Sequence, residues 1–162
     1  MNGRRWLMAG GLLVLAAIVY LATRPTEEER IKKTLGRLVT AVMVKEGDNV
    51  LSRTARINST LADVADEDVR VDVPDLGIAA RGRSAIAQRA AQAGVVFQSA
   101  DCELLQMNIA IDEAKTTAKV DALAVFTGVR GGARRVDRRD VHFLLRSDGG
   151  WRVTSIDVRA AE

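Results

Sequence analysis

Hydrophobic positions fall along this chain in three different patterns. Residues 6–23 carry no charge at all. These 18 residues would span about 27 Å as a helix at ~1.5 Å per residue, close to the thickness of a bilayer's hydrocarbon core. The run also lacks the polar stripe that a helix in a globular core keeps. A helical period follows. Thr26-x-x-Glu29, after Pro25, is a capping box. Ile31, Leu35, Leu38, Val39, Val42 and Met43 then recur on one helix face. Gly47 closes this helix. Asp48 is placed to cap a second, with a narrower stripe at Val50, Leu51, Thr54, Ile57 and Leu61. "GRSAIAQRAAQAG" predicts a third, capped at Ser84 and closed at Gly94.

The third pattern has a period of two. Val69, Val71 and Val73 predict a short strand. Leu105, Met107, Ile109 and Ile111 alternate on one face of a longer strand, and Val120, Ala122, Ala124 and Phe126 on one face of the next. Val141, Phe143 and Leu145 follow, then a last strand from Trp151. "RGGA" and "SDGG" between them supply the positive φ that tight hairpins need. The result is an α+β domain over residues 26–162, with helices on one side of an antiparallel four-strand meander. In the last two strands Leu144, Ile156 and Val158 lie opposite the face bearing Phe143, Leu145, Trp151 and Val153. Apolar side chains on both faces imply that the second face is covered. The chain has no further element to cover it, so a second copy or another protein is expected there.

The uncharged run raises the question of cleavage. A secretory signal has a shorter core, roughly 7–15 residues, before a small-x-small site. A cut after Ala22 would put Tyr20 where a small residue belongs. An uncleaved transmembrane helix over residues 6–23 is therefore expected. Residues 1–5, with Arg4 and Arg5, are too few to form a domain and become a cytoplasmic tail. Charge adds little else. Without Arg4 and Arg5, 22 of the 24 basic residues stand against 21 acidic ones. Neither charge nor the 4 % aromatic content points to nucleic acid. Cys102 is the only cysteine, which rules out an internal disulfide. The acids between Asp63 and Asp75 lack the glycine and glutamate of a calcium loop and read as a solvated loop. One histidine cannot furnish a zinc site, and no motif calls for a cofactor.

The paired N-terminal helices, "GRSAIAQRAA" after a short strand, and the closing "DGGWRVTSIDV" give an order of elements that resembles the nuclear-transport-factor-2-like (SnoaL-like) superfamily. The resemblance implies a cone-shaped domain, with helices packed on a curved sheet around a pocket. It also implies an outer sheet face that often pairs two copies. A membrane span fused to this domain looks like the inner-membrane scaffold subunit of type IV secretion systems, and like membrane proteins associated with mycobacterial lipid import. It implies residence in a bacterial inner membrane.

The family's enzymes use acids inside the pocket. Asp157 shares a strand face with Trp151, Val153 and Ser155, so Trp151, Ser155 and Asp157 are the candidate pocket residues. Asp121 is expected to point outward, and so is His142, beside Leu144. The expected interface is Leu144, Ile156, Val158 and His142. The sole tyrosine, Tyr20, lies in the span. A catalytic site therefore has little to draw on. Arg130, Arg134, Arg135, Arg138 and Arg139 form a basic hairpin suited to anionic lipid or an acidic protein surface, though charge on an exposed hairpin also keeps it soluble. Two functions stay open: a non-catalytic binding or assembly module of a membrane complex, or a membrane-tethered enzyme or carrier for a small apolar ligand. A cone plugged by Leu105, Met107, Ile109, Phe126 and Phe143 argues for the first. A deep pocket lined by Ser155 and Asp157 argues for the second. The topology has a direct test: alkaline phosphatase fused after Glu162 is expected to be active, and an inactive fusion, or a mature chain beginning after Ala22, contradicts it.

Overall fold

In the computed structural model, residues 25–45 and 47–161 are described. The expected tail (residues 1–5) and span (residues 6–23) lie outside them, as does Tyr20. Among the described residues no helix is long and apolar enough to cross a membrane.

Residues 25–30 form the capped start of the first helix. The Thr26 amide donates to Glu29 Oε2 (2.8 Å) and the Glu29 amide to Thr26 Oγ1 (3.2 Å), the reciprocal pair the capping box requires. From Ile31 onward the described residues make one compact unit. The elements are α1 (Glu27–Val42), α2 (Val50–Val64), β1 (Ala65–Val73), a 3-10 turn (Pro74–Leu76), β2 (Ile78–Arg81), α3 (Arg83–Val96), β3 (Ser99–Ile111), β4 (Thr117–Arg130), β5 (Ala133–Ser147) and β6 (Trp151–Ala160). Strands β3 to β6 make the expected antiparallel meander within a six-stranded sheet ordered β2-β1-β6-β5-β4-β3. Ile31, Leu35 and Leu38 of α1, Ile57 and Leu61 of α2 and Ile86 of α3 bury against Val120, Ala122, Val141, Phe143, Leu145 and Val153 on one sheet face. This is an α+β fold with three helices on a curved sheet.

Several local expectations need correction. The sheet is mixed, because β1 runs parallel to β6. The acid-rich stretch is largely strand β1, whose register slips between Ala65 and Arg70 around Asp66, Glu67 and Asp68. Strand β2, which the sequence pattern did not reveal, pairs with it. The cap of α2 is Asn49, whose side chain accepts from the Leu51 amide at 2.8 Å. Asp48 instead holds Arg56 (2.7 Å), and that hydrogen bond is the main reason its carboxyl sits below the usual range. The buried stripe of α2 starts at Arg53, while Val50 and Leu51 face solvent. Helix α3 has Gly82, not Ser84, at its cap and runs through Gly94 to Val96.

Gly94 is explained by Arg53, which is only 1 % exposed. Its guanidinium donates to the Ala91 carbonyl and lies where a Cβ on residue 94 would be. The glycine thus lets a buried arginine cross α3 near its C-terminal end, where a helix favours positive charge.

Two bulges decide which side chains enter the domain. In β6, Ser155 pairs with Leu144 and Val153 with Leu145, so Thr154 has no opposite residue. Its hydroxyl donates to the Leu144 carbonyl (3.1 Å). After this extra residue the faces exchange: Ile156 lies beside buried Phe143 and Val158 beside buried Val141. In β3, two residues, Gln106 and Met107, oppose Ala122 alone, and Gln106 takes φ 51°. Leu104 therefore packs on the core, while Leu105 faces outward and is 38 % exposed. The expectation that Ile156 and Val158 share the outer face with Leu144 is overturned, because strict alternation was assumed through the bulge. Ile156→Asp is therefore expected to cost about 2–4 kcal/mol of stability, since it sets a carboxylate against the core. Leu144→Asp, 45 % exposed in the native chain, should stay within about 0.5 kcal/mol when both chains are compared as monomers at low concentration. Urea midpoints for the two variants check this, and equal losses would contradict the assignment of faces.

Candidate binding cavity

The concave face of the sheet and the helices enclose a cavity of about 510 Å³. Val42 at the end of α1 and Met43 and Val44 just after it line it, with Ala90, Ala93 and Phe97 from α3 and the following turn. Cys102, Phe126, Gly128 and Val158 line the sheet side, and Val73 and Leu76 another edge. Leu76 is 58 % exposed, so the cavity reaches the surface there. The turn from α3 into β3 fits closely: the Phe97 ring occupies the space above Gly128, where a Cβ would come within 2.9 Å of it. The cone is not plugged. Phe126 lines its wall, Phe143 sits in the core, and Leu105 is outside.

One charged cluster borders this apolar space. Arg139 lies on the concave face, paired with Ala124 across the sheet. Its Nε donates to Asp137 Oδ2 at 2.8 Å, and its terminal nitrogen donates to Asp75 on the 3-10 turn. The hydrogen bonds from Asp137 and then Asp75 push the guanidinium's pKa above its ordinary value. Both carboxylates thereby accept from the one guanidinium. Arg135 also lines the cavity. The basic hairpin is thus divided by strand alternation: Arg135 and Arg139 belong to the concave side, and Arg134 and Arg138 to the other.

The residues singled out from sequence are dispersed. Trp151 is buried in the core at 5 % exposure and does not line the cavity. Ser155 and Asp157 lie on the outer face because of the Thr154 bulge, opposite Leu144 and His142. Asp157 accepts from Arg159 Nε at 2.7 Å. His142 Nδ1 lies 2.6 Å from Asp121 Oδ1, both well exposed on that same face. Of the expected interface set, Leu144 and His142 are outward, whereas Val158 lines the cavity. Sequence reasoning missed Arg139 as a cavity residue, and Asp75 and Asp137 as its partners. The alternation of Arg135, Asp137 and Arg139 with the buried positions Val141 and Phe143 was the available signal. Among the described residues no group of acids, cysteine and histidine is arranged to hold a metal.

No protein-family model and no curated protein matches the sequence. Solved structures do match. A nuclear-transport-factor-2-like protein with a cystatin-like fold from Novosphingobium aromaticivorans superposes with a TM-score of 0.64 at 18 % identity, covering 91 % of this chain and 88 % of that one. A second protein of that bacterium, provisionally assigned as a scytalone dehydratase, gives 0.66 at 15 % identity, over 84 % and 85 %. The CaMKII hub of S. rosetta gives 0.64 at 15 % identity, over 82 % and 95 %. At these identities the likeness establishes the fold alone.

Cys102 tests the cavity's chemistry. Burial, with a smaller contribution from the Asp101 charge, pushes its thiol from 9.0 up to about 11. Two units leave about a hundredfold less thiolate near neutral pH than in the unfolded chain. Alkylation by iodoacetamide at pH 8 should therefore be at least about a hundredfold slower in the folded chain than in urea. The folded state holds this proton more tightly, so the thiol's contribution to stability is complete below pH 9 and is lost as pH rises through about 11. A folded-state rate close to the unfolded one would contradict the burial. By these measures the described domain has the nuclear-transport-factor-2-like fold, with an open, largely apolar cone.

Proposed function

We propose that this chain is a non-catalytic binding module that holds a small apolar molecule in its cone. On this reading it is displayed outside the cytoplasm on a single N-terminal span in a bacterial inner membrane. The observation that carries the reading is the cavity of about 510 Å³, apolar over most of its wall, in which Asp137 is paired with Arg139 and Asp101 accepts from the Cys102 amide. Apolar clefts of this size with a few placed polar groups are typical of small-molecule sites. Arg135 suits an anionic end of the ligand, and the Arg139 cluster a polar one. Acid–base catalysis needs a tuned proton acceptor and a second group that stabilises charge. The lining offers instead a thiol held protonated, the ion-paired Arg139 cluster, and Asp101 on the Cys102 amide. The outer face, with Leu105, Leu123, Leu144 and His142, is read as the contact for a second copy. The Leu144→Asp chain should then lose a dimer in sedimentation, and an unchanged species would count against that pairing.

The cavity has its own test. Organic extraction of the purified full chain, followed by mass spectrometry, is expected to release about one apolar molecule per chain. Leu76→Trp at the exposed edge, or Ala93→Trp in the wall, should lower that yield at least about fivefold. Equal yields from all three chains would refute binding in the cone. Chemical conversion of the extracted molecule by the wild-type chain, lost in Arg139→Met, would replace this reading with the enzyme.

A further inference from the structure

Beside the cavity lies a surface of which the ligand-binding reading uses only Arg135. Helix α3 ends in Gly94, Val95 and Val96 before Phe97 turns inward onto Gly128. Val95 is 77 % exposed and Val96 45 %. β-Branched side chains gain nothing for a helix there by propensity, so two exposed valines need another reason. The tip of the β4–β5 hairpin is next to them. The Gln98 amide donates to the Val129 carbonyl (2.8 Å), and the Gly132 amide donates to the Gln98 side chain (3.4 Å). Those bonds hold the hairpin tip that carries Arg130, Arg134 and Arg135 against Gln98, two residues beyond α3, with Arg135 on the concave face and Arg134 on the other. Val136 follows them at 57 % exposure.

Charge decides the occupant. Arg130, Arg134 and Arg135 have no ion pair among the described residues. Of the nearby acids, Asp137 is held by Arg139, and Asp101 accepts from the Cys102 amide. The surface is therefore positive at its arginines and apolar at its valines. It also adjoins a cavity wall built from Val42, Met43, Phe97 and Phe126. Exposed apolar side chains beside unpaired cations match an anionic lipid surface, where the valines enter the acyl region and the arginines meet headgroup phosphates.

We propose that this lip, Val95 and Val96 with Arg130, Arg134 and Arg135, docks the mouth of the cone on an anionic bilayer. In part it rests on the cavity reading, because a mouth at the membrane gives an apolar ligand a route that avoids water. An acidic protein surface would satisfy the arginines but would leave Val95 outside lipid.

The experiment uses the full chain in nanodiscs whose acyl tails are brominated. A bimane label is attached at Val95→Cys in a Cys102→Ala background. In discs containing phosphatidylglycerol the label should be quenched several-fold more than in phosphatidylcholine alone. The difference should vanish in an Arg130→Gln/Arg134→Gln chain and shrink as salt is raised. A label at Glu113→Cys, in the β3–β4 turn, should stay unquenched. Quenching at Val95 no greater than at Glu113, equal in both lipids, or kept without the two arginines overturns the proposal. Neither Arg130 nor Arg134 lines the cavity. Lost quenching with extracted ligand intact therefore sinks the lip alone, and quenching kept in Ala93→Trp shows the lip without the cavity.

Discussion

Strand β6 carries one residue more than the stretch of β5 it pairs with, and the arrangement of the cone depends on that residue. Thr154 stands unpaired between Val153 and Ser155. Before it, the core takes Trp151 and Val153; after it, Ile156 and Val158. Without the bulge, the period of two would turn Ser155 and Asp157 toward the core and put Ile156 and Val158 in water. Val158 reaches the cavity only because the strand is reset. The bulge at Gln106 does the same in β3 and brings Leu104 inward. Bulges also increase local bend and twist, so the residues that choose the facing side chains are the ones suited to curving the sheet around a hollow.

The helical side depends on a different device. Arg53 is buried with its Nε unpaired among the described residues, a costly state for a cation. Its donation to the Ala91 carbonyl and the passage left by Gly94 fix how α2 meets α3. Ala90 and Ala93 lie on the same helix segment and form part of the cavity wall. An ordinary apolar residue at position 53 would pack without needing a glycine across from it. The pairing therefore reads as a constraint on helix position more than as a source of stability.

What was legible in the sequence follows from these devices. The capping box, the α1 stripe, the meander and its glycine turns depend on local chemistry and regular periods, and each could be read directly. The order of elements was sufficient to suggest the nuclear-transport-factor-2-like fold. The faces of β6 and β3 were not legible. A bulge is one residue in an otherwise regular alternation, and neither Thr154 nor Gln106 is a glycine that would mark it. Strand β2 is four residues long, too short for a period to show. Gly94 read as a helix stop because glycine usually is one; the reason it is not lies on another helix, at Arg53. The candidate pocket residues failed for the same cause as the faces, since Ser155 and Asp157 were placed by counting through Thr154.

The basic hairpin shows how one strand serves two surfaces. Its arginines looked like a single patch, because five of them fall within ten residues of sequence. Alternation separates them. Arg139, with Ala124 beside it, belongs to the concave side, and two aspartates pair with it there. Arg134 and Arg138 belong to the convex side, where water can solvate them. A guanidinium beside an apolar cavity needs partners, because its charge is poorly solvated; one on the surface does not. The aspartates at 75 and 137 thus allow a cation next to a hollow without leaving it bare. The cluster offers a ligand an oriented polar edge, and its carboxylates are already engaged.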